Sequence, residues 1–454
     1  MKAVGMDIGT TSISGVVLEL EETGEQKIKR ILEVKTVKNT GFLASGQEWE
    51  RMQDAKASAE KTKCLLDELL DRYPDVKQIG LTGQMHGIVY LDQEGSCVSP
   101  LYTWQDGRGD ISIPGEKSLV EEIRKTCGIS VSSGYGLVTH IYNLRHHLVS
   151  EQAVCFAAMA DYFGMYLTGR KRPLVHISNG ASFGFFDVQR NCFEKELLKT
   201  MGVEETWLPD LCTNIKSLGT YRDCVVTAAI GDNQAAFLGA VGNREDTGLV
   251  NMGTGGQISM LSHQYFAKDG IESRPFLGGG TYLLAGASLC GGRSYALLEE
   301  FFRKFLREAS GQEKPLYDIL ERLAREGRQK AAGKPMERRL KVETTFQGTR
   351  QNPEKGGSIT NLWYDNFTPE CLAYGVLEGM GMELYEMYET IQRGTGLAVR
   401  HLAGAGNGLR KNPVLVEILE ELFGAELVLA SCEEEAAAGA ALSSCLAEFH
   451  SRRD

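Results

Sequence analysis

Four groups of residues have types and spacings that could carry chemistry. The first is Gly231-Asp232-Asn233-Gln234, which joins the apolar run Val225 to Ile230 to a helical stretch, Ala235 to Val241. The positive end of that helix would keep Asp232 ionised and able to accept a proton. Phosphoryl transfer needs such a group, because the attacking hydroxyl must lose its proton while Mg²⁺ and backbone amides hold the γ-phosphate. A plain helix-capping aspartate has the same local sequence. Asp232 therefore needs a phosphate and a hydroxyl to face before it is a base.

Two Gly-Thr turns could supply the phosphate side. Asp7-Ile8-Gly9-Thr10-Thr11-Ser12 separates two apolar runs, and Asn251-Met252-Gly253-Thr254-Gly255-Gly256 does the same 244 positions later, with Gly253-Thr254 on Gly9-Thr10 and Asn251 on Asp7. A short turn with hydroxyls and open amides can wrap a phosphate tail, since its N–H groups point inward and no Cβ blocks approach. Each turn alone is also what an ordinary hairpin looks like. Asp7 ends a buried strand, where an unpaired carboxylate is costly. A Mg²⁺ ion or its waters would offset that cost, and a turn-capping role is the alternative.

The third group is Gly404-Ala405-Gly406-Asn407-Gly408. A dinucleotide fingerprint would read G-x-G-x-x-G after the first strand of its unit, so both spacing and position argue against one. A loop that lets a flat adenine approach the backbone fits better. The fourth is Gln84-Met85-His86 with Trp104, Asp106 and Arg108. Amide, imidazole, carboxylate and an aromatic wall make a polyol-binding set, although a lone histidine is more often structural.

Each group needs an element behind it. Lys2 to Leu20 reads as strand, turn, strand, followed by a helix from about Trp49 to Arg72. Val76 to Leu81 is a strand that ends at the Gln84 turn, and Ile88 to Leu91 continues the sheet. Ala157 to Leu167 reads as a helix, Ser178 to Ser182 as a polar turn, and Phe183 to Val188 as an aromatic strand. The pattern restarts near Leu218 to Cys224, which divides the chain into residues 1–224 and 225–454. Glu299 to Lys341 is helical and charged, a solvated face. Asn412 suits an N-cap, Pro413 the first helical position, and Gly424 the stop of the helix Val414 to Phe423. The alanine-rich helix Glu433 to Leu446 carries Ala437, Gly439 and Ala440, small enough for close packing on a sheet.

The whole chain agrees with this division. At 454 residues it is too long for one ordinary core. A net charge of −11 leaves no basic field for nucleic acid, so phosphate must be held by local devices. No run of 18 or more apolar residues appears, so no membrane span is expected. The opening run, with its early Asp7, reads as a buried strand and not as a signal peptide. Eleven scattered cysteines without a C-x-x-C pair suggest reduced thiols in a cytoplasmic protein and no zinc. Fifty-two glycines beside 11 prolines fall in short strings between apolar runs, as tight turns require.

In this order the motifs resemble the FGGY family of carbohydrate kinases over nearly the whole chain. The resemblance implies an α/β fold of two actin-like, ribonuclease-H-like domains with an active-site cleft between them, and ATP with Mg²⁺ as cofactors. It implies that Asp232 takes the proton from a terminal hydroxyl and that Asp7 holds Mg²⁺. Thr10, Thr11, Gly253 and Thr254 would cradle the phosphates, while Gly404, Ala405 and Asn407, with Asn412 nearby, would border the adenosine. Gln84, Met85, His86, Trp104, Asp106, Asn179 and Asn233 would line the sugar site.

Gly83-Gln84-Met85-His86-Gly87 is similar to the ketose kinases of that family. Tyr102 to Arg108, Leu167 to Leu174 and Ser178 to Gly184 lean to the branch that acts on sedoheptulose, as does Ala287 to Gly292, with Cys290 in place of an asparagine. Asp232-Asn233 is instead the pair of the branch that acts on xylulose. The expectation is a kinase making sedoheptulose 7-phosphate, with xylulose as the alternative substrate. A remoter alternative is an actin-like ATPase without a sugar. A homodimer is allowed; the sequence leaves the oligomeric state open.

Overall fold

The hairpin forms where the apolar alternation put it. Strands β1 (Lys2–Ile8) and β2 (Ser12–Thr23) pair antiparallel, with Asp7 opposite Ser14. A computed structural model describes residues 1–23, 26–112, 117–349, 352, 354–430 and 432–451. β3 (Gln26–Lys38) pairs with the far edge of β2. Helix α1 (Ala55–Arg72) then crosses to β4 (Gln78–Gly83), which runs parallel to β1 and lays Thr82 beside Asp7. After α2 (Met159–Thr168), strands β5 (Ser217–Tyr221) and β6 (Cys224–Thr227) complete a sheet of order β5-β6-β4-β1-β2-β3. Helix α3 (Asp232–Val241) follows.

The second sheet repeats this plan. Strands β7 (Thr247–Met252) and β8 (Gly256–Ser262) make the echoed hairpin. With β9 (Ile271–Pro275), β10 (Tyr282–Ser288), β11 (His401–Ala405) and β12 (Leu427–Leu429), the order is β9-β10-β8-β7-β11-β12. β3-β2-β1-β4-β6 and β10-β8-β7-β11-β12 match strand for strand in order and direction, two antiparallel steps followed by two parallel ones. The repeat glimpsed in one Gly-Thr pair is thus a repeat of topology. Helices α4 (Gly291–Ser310), α5 (Tyr317–Ala331), α6 (Pro369–Thr395) and α7 (Pro413–Phe423) belong with the second sheet, and α8 (Glu435–Ser451) comes last.

The chain forms two compact units. The first comprises Met1–Gly242, Arg274–Thr281 and the residues from Glu434 onward; the second comprises Asn243–Ser273 and Tyr282–Glu433. Residues 225–242, grouped above with the second half, lie in the first unit, because β6 pairs with β5 and β4 and α3 packs on α8. The small residues of α8 do pack on a sheet, and it is that of the first unit. A Cβ on Gly5 would stand 1.9 Å from the Ala437 carbonyl oxygen, and one on Gly80 would stand 1.8 Å from that of Ala440.

Some elements differ from their sequence outlines. α1 begins at Ala55 because the Asp54 side chain accepts from the Ala57 N–H at 3.0 Å, and Met52–Gln53 pairs instead with Leu101–Tyr102. Val89–Leu91 does not extend the main sheet but pairs with Cys155–Ala157. The aromatic strand shrinks to Phe186–Asp187, since residues 177–183 coil into two short helical turns. The charged stretch after Glu299 runs through α4 and α5, laced by same-face pairs such as Glu300–Lys304 and Arg322–Glu326. Among the described residues, no helix is long and apolar enough to cross a membrane.

Candidate active site

In the first unit, β1, β4 and the start of α3 bring the acid and the sugar-type residues together. Gly231 is the N-cap of α3, and Asp232 stands at the first helical position, so it is not the cap that its sequence allowed. Its carboxylate accepts from Asn233 Nδ2 at 2.8 Å. The same Nδ2 lies 3.8 Å from the Met85 sulfur, and a Cβ on Gly231 would meet Met85 Cε at 2.8 Å. The Gln-Met-His turn therefore packs directly on the helix that carries Asp232.

The first Gly-Thr turn is tied to the same set. Thr10 Oγ1 donates to Gln84 Oε1 at 3.3 Å and accepts from Trp104 Nε1 at 3.0 Å. Gln53, which the sequence reading passed over, joins them: its Nε2 donates to the Thr10 carbonyl at 2.9 Å and its Oε1 accepts from Gln84. Trp104 remains 47% exposed, a free aromatic wall. Thr11 is exposed at the turn. His86 adopts φ +72°, rare for a residue with a Cβ, and stacks on Tyr135 with ring centroids 4.7 Å apart. The Ser182 hydroxyl accepts from the His86 N–H at 3.1 Å, and the Ser182 carbonyl accepts from His86 Nδ1 at 2.8 Å.

The electrostatics differ from the helix-end expectation. Burial raises the Asp232 carboxyl to about 6, outweighing the Asn233 backbone, Arg274 and the Asn233 amide, which pull it down. Burial likewise raises Asp7 to about 7, with the charges of Asp232 and Glu434 adding to the rise. Arg274 and Glu434 come from distant parts of the chain, and no local pattern marked them. Facing acids that resist ionisation are the donor set a hard divalent cation suits. Among the described residues no trio of His, Cys, Asp or Glu could cage a metal alone. Mg²⁺ binds through one or two carboxylates and substrate phosphates.

Asp106 and Asn179 do not line this set. Asp106 is 1% exposed, and its two oxygens accept from the Arg108 guanidinium and from the Arg108 and Arg51 N–H groups. Arg108 in turn packs over Tyr102 at 4.3 Å. An ion pair this buried shapes the loop that carries Trp104. Asn179, also 1% exposed, sits behind the His86 turn, with its Nδ2 3.4 Å from Asp161 Oδ2.

The second unit holds the other two glycine groups. Gly253 and Thr254 lie exposed at the second hairpin turn, and their carbonyls accept from Gly292 and Arg293 at the start of α4, each at 3.0 Å. Gly404 and Ala405 are buried residues of β11, and Asn407 is exposed just beyond it. Gly406, at φ +87°, lies over β7: a Cβ there would stand 2.6 Å from the Met252 carbonyl oxygen and 2.7 Å from Asn251 Oδ1. Asn412 occupies the cap position of α7, but its side chain caps nothing. It turns back and donates to the Gly408 carbonyl at 2.8 Å, bracing the glycine loop.

Residues 2–244 match the N-terminal domain, and residues 248–448 the C-terminal domain, of the FGGY family of carbohydrate kinases. The chain belongs to that family. The kinase is similar to the sedoheptulokinase of Mus musculus, 26% identical over 97% of this chain and 96% of that one. It is also similar to the xylulose kinase of Staphylococcus xylosus, 22% identical over 98% and 90%. The xylulose kinase structure from Rhodospirillum rubrum superposes with a TM-score of 0.79 at 19% identity, covering 99% of this chain and 90% of that one. The protein is thus a sugar kinase of two-domain α/β fold, and its family implies ATP as phosphoryl donor.

Proposed function

We propose that this kinase phosphorylates the terminal hydroxyl of a ketose, sedoheptulose first, giving sedoheptulose 7-phosphate and ADP. The contact between the Met85 turn and the Asp232 helix start carries the reading, because it sets a proton acceptor beside a polyol-type surface. Asp232 Oδ takes the proton of the hydroxyl, the freed oxygen attacks the γ-phosphorus, and the bond to the bridging oxygen of ADP breaks. With its carboxyl near 6, Asp232 is mostly ionised at neutral pH yet basic enough to accept that proton. Gln84, Met85, His86, Trp104 and Asn233 hold the sugar. Asp106 and Asn179 act behind them, one through the Trp104 loop and one through the His86 turn.

Thr10, Thr11, Gly253 and Thr254 bind the phosphates. Gly404, Ala405 and Asn407, with Asn412 bracing their loop, bind the adenosine. Asp7 holds Mg²⁺, which when bound neutralises charge on the transferring phosphoryl group. Xylulose is the second reading, supported by the Asp232-Asn233 pair and by the xylulose kinases among the relatives. An ADP-release assay over C4 to C7 ketoses and polyols tests the choice. Turnover of sedoheptulose above all others is expected; a strong preference for D-xylulose overturns it. Asp232→Ala is expected to lower kcat by roughly 10²–10⁴, the usual worth of a positioned base. Near-normal turnover in that variant would mean that the base lies elsewhere.

A further inference from the structure

A buried chain of hydrogen bonds ends at the helix that carries Asp232. His176 is fully buried at the end of Leu174–His176, a strand that pairs with Asp210–Cys212. Its Nε2 lies 3.1 Å from the Thr213 carbonyl oxygen. A carbonyl only accepts, so Nε2 carries the hydrogen. Burial holds this imidazole well below its usual range, at about 4, so the ring is neutral and Nδ1 is an acceptor. Nδ1 accepts from the Ser178 N–H at 3.2 Å and, bearing no hydrogen itself, takes the Ser178 Oγ hydrogen at 2.8 Å as well. The remaining capacity of that hydroxyl is as an acceptor, and the Gly231 N–H fills it at 2.9 Å. Every polarity along Thr213, His176, Ser178 and Gly231 is thereby determined, and Ser178 itself is 1% exposed.

Gly231 is the N-cap of α3, the residue before Asp232, and its first-turn N–H groups have no partner within the helix. Ser178 satisfies one of them from outside. The same short turn reaches the sugar side, since the Ser182 hydroxyl accepts from the His86 N–H and donates to the Asn179 carbonyl at 2.7 Å. One compact turn, 177–183, therefore holds both the start of α3 and the Gln84-Met85-His86 turn.

We propose that Ser178, oriented by His176, is a positioning residue for phosphoryl transfer: its hydroxyl holds the Gly231 N–H and so fixes where Asp232 stands relative to the sugar-binding turn. The proposal rests on Asp232 being the base. A displacement of about 1 Å at a reacting group costs up to about 10²-fold in rate, whereas ligands held by other residues are bound as before.

The test is steady-state kinetics on the full chain with the best ketose from the panel above. Ser178→Ala is expected to lower kcat about 10- to 100-fold, with KM for sugar and for ATP changed by less than about threefold. Ser178→Thr keeps the hydroxyl and is expected to recover most of that kcat. Ser182→Ala acts on the other end of the turn and is expected to raise the sugar KM more than it lowers kcat. A folded Ser178→Ala enzyme with unchanged kcat, or equal losses in the Ala and Thr variants, overturns the proposal. If Ser178→Ala does not fold, His176→Asn, which keeps an acceptor near the Nδ1 position, is compared with His176→Gln, which does not. The Asn variant should be the faster, and equal kcat in the two overturns the proposal. Asp232→Ala in the same assay separates the two ideas. Full activity there removes the base reading, whereas an inactive Asp232→Ala beside a normal Ser178→Ala removes only the positioning role.

Discussion

Replacing Asp161 by asparagine isolates one buried proton. Asp161 lies in α2, 2% exposed, and burial lifts its carboxyl to about 8 against the smaller pull of the Asn179 amide and the Ala158 backbone. In the unfolded chain the same group titrates near 3.8. The folded pKa is raised, so its contribution to stability is complete below about 4 and is lost as pH rises towards 8. Within that window the unfolded state has released a proton that the folded state keeps, and each pH unit costs about 1.4 kcal/mol. Between pH 5 and pH 8 the wild type should therefore lose about 3–4 kcal/mol at this group. Asparagine has nearly the same shape and no proton to lose. Urea unfolding of both proteins at the two pH values, read at the transition of the first unit, gives the difference of differences in which all other titrating groups cancel. The Asp161→Asn variant should gain about 3–4 kcal/mol on the wild type between pH 5 and pH 8. A gain below about 1 kcal/mol would refute the reasoning, because Asp161 would then ionise with the ease of an exposed acid.

Other outcomes follow from close approaches. Gly406→Ala forces a Cβ against the Met252 carbonyl at φ +87°, so the β11 loop must shift; a raised KM for ATP with the sugar KM unchanged is expected, by steady-state assay. Gly80→Ala sets a methyl 1.8 Å from the Ala440 carbonyl and should separate α8 from the first sheet, lowering the thermal midpoint of the first unit and not of the second. Asn412→Ala removes the brace on Gly408 and should likewise raise the KM for ATP, by a factor of several, without touching kcat.

Much of the fold was legible because the signals were local. The two hairpins are alternations of apolar residues around a Gly-Thr turn, and a single echo of that turn marked a repeat that extends to five strands of each sheet. The small residues of α8 announced close packing, but helical periodicity carries no address, so the partner sheet did not show. The site was legible to the same degree. Asp232-Asn233 and Met85-His86 lie in turns with their own signatures, and the Asn233 amide reaches the Met85 sulfur. Asp106, grouped with the sugar-binding residues by sequence, lies buried against Arg108. Arg108, two residues on, is the local signal of that pairing, since an acid and a guanidinium so close readily neutralise each other in a core. Ser178 lies in a polar turn that the sequence marks, but its partner Gly231 is 53 positions away. Arg274 and Glu434 act on Asp232 and Asp7 from distant parts of the chain, with no local pattern of their own.

The return of α8 to the first sheet has a consequence for synthesis. β1 and β4 leave the ribosome early, but the helix that closes over Gly5 and Gly80 follows only after the second unit has been made. At ordinary rates of translation the wait is roughly 20–90 s. During it the strands of the second unit emerge one by one, β12 last, while one face of the first sheet, with its two bare glycines, stands uncovered. The first unit to begin is thus the last to finish, and a nascent chain stalled before Glu434 would expose this apolar face to chaperones and not the face of the second sheet.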